Sequence, residues 1–66
     1  MIDPKAESHA ESMGSMAREA SEPRDANPYV DVPVQSEFER ELVAALAEAW
    51  WRGWDQADAS WWGKLT

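Results

Sequence analysis

The stretch SEFERELVAALAEAWWRGWDQADASWWG, residues 36–63, decides the fold. Phe38, Leu42, Leu46, Trp50 and Trp54 recur every four positions. At about 100° per residue, Val43, Ala57 and Trp61 fall on the same side. The opposite side carries Glu37, Glu41, Glu48, Arg52, Asp55 and Gln56. This separation predicts one long amphipathic, Trp-rich helix over residues 36–62. Ser36 and Glu39 have capping-box spacing, in which the Ser36 hydroxyl accepts from the Glu39 amide and the Glu39 carboxylate accepts from the Ser36 amide. Glu37, Glu39 and Glu41 then sit at the positive end of the helix dipole, with Lys64 near the negative end. Strong helix formers fill positions 41–49. Gly53 costs the helix about 1 kcal/mol relative to Ala and marks a bend or the close approach of a partner backbone. Gly63 is placed to cap the C-terminal end of a 36–66 unit.

All five tryptophans lie within residues 50–66, and four of them repeat one motif: Trp50-Trp51-Arg52-Gly53 and Trp61-Trp62-Gly63-Lys64. The repeat distance is close to three helical turns, which sets Trp61 over Trp50 and Trp62 over Trp51. Trp51 and Trp62 stand about 100° to one side of the main line, so the apolar arc is wider than a coiled-coil seam. A lone helix cannot bury such an arc against itself. The first half of the chain offers a few valines, Met13, Met16 and Tyr29 as cover, too little for these indoles. Phe38, Leu42, Leu46, Trp50, Trp51, Trp54, Trp61 and Trp62 are therefore expected to form a partner-binding face. Trp50 and Trp54 should lie at its centre, since tryptophan is enriched among residues that dominate binding energy. The alternative occupant of that face is a second copy of the chain, giving a self-associated helical bundle.

Residues 1–35 read as a disordered or extended acidic arm. A transient helix over residues 4–20 is expected, with Asp3 as its cap, Pro4 in its first turn, and a faint stripe of Ala6, Ala10, Met13 and Met16 weakened by Gly14. Pro23, Pro28 and Pro33 make residues 22–35 extended. Tyr29, Val30, Val32 and Val34 alternate with polar or proline positions, the pattern of a linker or of an edge strand added to a partner's sheet.

Composition narrows the function classes. The chain has 66 residues, no cysteine and a net charge of −7 shared by both halves, so disulfides and thiolate metal sites are excluded. A chain this short usually needs a staple or oligomerisation to be stable. Phosphate contacts require clustered cations, so direct nucleic-acid binding is not expected, and the charge favours a partner with a basic surface. No run is apolar enough to span a bilayer and no signal peptide is recognisable, which points to a soluble, cytoplasmic or virion-associated protein. An interfacial membrane helix has the tryptophans in its favour and the acidic face against it. His9 is the only histidine. A His-based triad or multi-His site is therefore not available, Asp55 and Asp58 alone make a poor cation site, no cofactor is expected, and the chain does not read as an enzyme.

A polar tail followed by one Ala/Glu/Trp helix resembles the small accessory proteins of bacteriophage and actinobacterial genomes, in composition only and with no residues carried over. The expected function is a non-enzymatic accessory protein that docks its helix and arm onto a larger protein assembly of a phage or bacterial structural kind. The second expectation is an acidic inhibitor that presents carboxylates where phosphates would lie and so blocks a nucleic-acid-binding protein.

Overall fold

A computed structural model describes the backbone of residues 4–65 and the side chains of residues 4–63. Helix α1 spans Pro4–Glu19, a short 3₁₀ turn spans Arg24–Ala26, and helix α2 spans Glu37–Leu65. No strand occurs among the described residues. The 29 residues of α2 extend for about 43 Å at 1.5 Å per residue, and they set the length of a Cα trace measuring 45 × 22 × 13 Å. Helix α1 and the return segment 20–36 are both laid along α2.

The start of α2 follows from its sequence. The Glu39 amide donates to Ser36 Oγ at 3.1 Å, and the Arg40 amide donates to the Ser36 carbonyl at 3.0 Å. The Glu39 carboxylate reaches one residue further back than the capping-box pattern predicts: Oε2 accepts from the Gln35 amide at 3.0 Å. The C-terminal expectation is corrected. Gly63 lies inside α2, and no glycine among the described residues has positive φ, so it does not form a left-handed cap. The cap expected of Asp3 and the side chain of Lys64 lie outside the described residues.

The arm is also corrected. Residues 4–19 are helical and packed, and residues 20–36 are folded against α2. Helix α1 closes in a Schellman arrangement: the Glu22 amide donates to the Ala17 carbonyl at 2.9 Å and the Ser21 amide to the Arg18 carbonyl at 3.0 Å. Ser21 takes the left-handed position that this motif requires, with φ 65°, a conformation that disfavours any residue with a Cβ.

Ion pairs give the relative direction of the helices. Glu11 pairs with Arg52 at 3.5 Å and Arg18 with Asp58 at 2.7 Å, so partners advance together and α1 runs in the same direction as α2. A parallel pair requires the chain to travel back along α2 before the second helix can begin. Residues 20–36 do so as a strap, and their prolines keep it extended.

The buried face of α1 is Ala10, Gly14 and Ala17. Of the expected stripe, Ala10 is fully buried and Ala6 half-buried, while Met13 and Met16 face solvent. The reason is the distance between the backbones. A Cβ at Gly14 would overlap the Trp50 carbonyl oxygen, and a Cβ at Gly53 would overlap the Glu11 carbonyl oxygen. Two glycines, one on each helix, let the backbones touch, and a methionine on that line would hold them apart. Gly53 thus marks the close approach of a backbone, and that backbone belongs to the same chain.

Candidate functional site

This packing sorts the five indoles into two groups. Trp50, expected at the centre of a partner interface, is 3% exposed and lies in the chain's own core with Ala10, Ala17, Ala47 and Ala49. Trp51 and Trp54 are half-buried under the strap. The Trp51 indole N–H donates to the Arg24 carbonyl at 3.0 Å, and the Trp54 indole N–H donates to the Glu22 carbonyl at 2.9 Å. Guanidinium groups cover the rings. Arg24 stands 5.2 Å from the Trp51 centroid, and Arg18 stands 5.6 Å from Trp54 and 5.2 Å from Trp61. The first half of the chain, expected to be inadequate cover, shelters the three proximal indoles with backbone carbonyls and cations as well as apolar atoms.

Trp61 and Trp62 are less covered, 46% and 57% exposed, and of the two only Trp61 has a guanidinium, that of Arg18, over its ring among the described residues. Their rings meet edge to face with centroids 5.5 Å apart, an apolar knob beside the last turn of α1, where Trp61 lines a hollow with Ser15 and Glu19. Phe38 is 65% exposed near the opposite end of α2, and Leu42 and Leu46 are half-buried. The predicted face is therefore divided: its centre is internal and its two ends are open.

The valine segment meets α2 without forming a strand. Tyr29, Val30, Val32 and Val34 line a hollow of about 380 Å³ together with Val43, Ala44 and Ala47, with Arg40 and Glu48 at its rim. Val30 and Val32 are exposed there, and Tyr29 and Val34 are half-buried. One residue that places this segment has no counterpart in the sequence reading. Asn27 is buried, donates through Nδ2 to the Ala47 carbonyl at 2.9 Å, and accepts the Tyr29 amide on Oδ1 at 2.9 Å. The signal was its place before Pro28, where an asparagine side chain readily closes a turn two residues on.

The charges near this side are paired. Arg24 makes a two-point contact with Asp55, Nε to Oδ1 at 2.9 Å and Nη2 to Oδ2 at 3.2 Å. The hydrogen bond to Asp55 raises the Arg24 guanidinium above its ordinary value. Asp58 receives Arg18. Arg52, on the side predicted to be polar, is paired with Glu11 of α1. Glu37, Glu41, Glu48, Asp55 and Gln56 are exposed on the side predicted to be polar.

Among the described residues, no group of three or more His, Cys, Asp or Glu side chains could hold a metal ion, and no helix is long and apolar enough to cross a membrane. No protein-family model, curated protein or solved structure matches the chain.

Proposed function

We propose that this protein is a non-enzymatic interaction protein that works by docking the exposed end of α2 onto another protein surface. The observation that carries the reading is the contrast between the two groups of tryptophans. Trp50 is buried and Trp51 and Trp54 are half-buried, each of the latter with its indole N–H on a strap carbonyl, whereas Trp61, with Arg18 over its ring, and Trp62 present an aromatic pair that is about half exposed to solvent. Rigid aromatic anchors of this kind contribute most of the energy of small interfaces, and ordering them on binding costs little because they already hold each other. A larger assembly of the phage or bacterial structural kind is the context that the composition favours. The strongly acidic character, −7 in 66 residues, favours a basic rim around the partner's pocket.

The test is capture of a partner by the full chain beside two variants. Trp61→Ala/Trp62→Ala should abolish capture while leaving the helical content unchanged, since neither ring is part of the core. Charge reversal at Glu37, Glu41 and Glu48 should weaken capture only modestly. The opposite order, with the carboxylates decisive and the indoles dispensable, would reject docking through the aromatic pair in favour of an acidic mimic of nucleic acid.

A further inference from the structure

We infer that residues Glu22–Ala26 of the strap are a hinged cover on the docking surface, with the Arg24–Asp55 pair as its latch, and that a cationic side chain of the partner releases it. The inference rests on the docking reading above and says how that surface is enlarged. With the cover down, Trp61 and Trp62 are the open part of the surface. With it lifted, Trp51 and Trp54 join them.

The first ground is the way this segment is held. Every residue from Ala20 to Ala26 is exposed, so no apolar side chain of the segment is sunk into the protein. It is fastened to α2 by polar contacts at the surface: the Glu22 and Arg24 carbonyls accept from the Trp54 and Trp51 indoles, and the Arg24 guanidinium lies over Trp51 and against Asp55. The side chains of the pair are 52% and 51% exposed. Water and salt compete for contacts of this kind, and each contributes little net. The chain on either side is held differently. Ala17 is buried and its carbonyl receives the Glu22 amide, and Asn27 is buried with its side-chain amide on the Ala47 carbonyl. The segment between these anchors is therefore the part that opens at least cost.

The second ground is what lies beneath. The Arg18 guanidinium stands over both Trp54 and Trp61, so the covered indoles adjoin the open pair. Trp50 is held by α1 instead, with its backbone against Gly14, and lifting the cover leaves the helix pair closed. The third ground is access to the latch. Arg24 and Asp55 line a shallow hollow of about 600 Å³ together with Glu48, Trp51 and Arg52. A lysine or arginine of a basic partner reaches Asp55 there and takes the place of Arg24, so the charge that attracts the partner also frees the cover.

Hydrogen exchange of the indole N–H groups in the full chain, resolved by nuclear magnetic resonance beside the backbone amides, tests this. At low salt the Trp51 and Trp54 indole protons should exchange more slowly than that of Trp62. Salt at about 1 M, where the screening length falls to about 3 Å, should speed both relative to Trp62. Asp55→Ala, at an exposed helix position, should speed both about fivefold at low salt, the scale of an exposed ion pair, and should remove the response to salt. A tetra-arginine peptide at low salt should act on the native chain as Asp55→Ala does. The amides of Gly14 and Ala17 should keep their native protection throughout. Indole exchange indifferent to salt and to Asp55→Ala overturns the latch, and indifference to the peptide overturns release by a partner's cation. Amide exchange in α1 that rises in step with the indoles overturns the cover, because the strap then opens only with the whole fold. These readings are taken without a docking partner, so loss of capture through Trp61 and Trp62 would reject the docking function without altering them, and a rigid cover would leave docking through the open pair standing.

Discussion

Gly53 is the position where helix propensity and packing demand opposite things. Alanine in an exposed helix interior gains about 1 kcal/mol over glycine. Here a methyl group would enter the space of the Glu11 carbonyl oxygen, and because that oxygen belongs to a helix backbone, α1 as a whole must shift. Gly53→Ala should therefore destabilise the protein by about 1–3 kcal/mol, as overpacking does, and Gly14→Ala should behave alike. Urea denaturation decides the sign, and a gain in stability would show that α1 does not lie against α2. Ser21 offers the converse case. Its left-handed φ favours glycine, so Ser21→Gly should raise the denaturation midpoint by an amount corresponding to about 1 kcal/mol. Asn27→Ala leaves the Tyr29 amide without its acceptor and cuts the strap from the Ala47 carbonyl, which should cost about 1–3 kcal/mol in the same measurement. The sequence marked Gly53 as a close approach without revealing the approaching partner. Gly14 read as a weakness because its value lies in contact with the Trp50 backbone, some 36 positions away, and nothing local records such a contact.

At the scale of elements, α2 was legible because four-residue spacing, a capping serine and helix formers all agree over a long stretch. Its N-terminal cap rests on the Ser36 hydroxyl, and Ser36→Ala should cost about 1 kcal/mol, measurable as reduced thermal stability. α1 was legible only as a faint tendency. Its contact face is Ala10, Gly14 and Ala17, residues with little apolar area, while its two methionines, which dominate the apolar pattern, point to water. A search for large apolar side chains therefore finds the wrong face. The strap escaped for another reason. It is fastened by main-chain carbonyls at Glu22 and Arg24 accepting from indole N–H groups, and a carbonyl is present at every residue, so sequence gives no sign of which ones are used. The extended character of residues 22–35 was evident from three prolines, and their course along α2 was not.

Taken as a whole, the molecule hides its middle and shows its ends. The parallel helix pair and the returning strap enclose Trp50 and half-enclose Trp51 and Trp54, and the candidate interface shrinks from the predicted ridge to the Trp61–Trp62 knob, Phe38 and the valine hollow. This division predicts unequal consequences of mutation. Trp50→Ala should cost about 3–5 kcal/mol, enough to unfold a chain this small, whereas Trp62→Ala should change stability by less than about 1 kcal/mol. Calorimetry of the two variants side by side measures the contrast, and equal effects would contradict the division. The account depends most on α1 and the strap being folded over the central indoles in solution. The direct measurement is nuclear Overhauser contact between the α-protons of Gly14 and Trp50 and between those of Gly53 and Glu11 in the full chain. Both contacts should be present, with helical chemical shifts from residue 4 to residue 19. Random-coil shifts over that segment, with the contacts missing, would mean that the first half does not shelter the tryptophans.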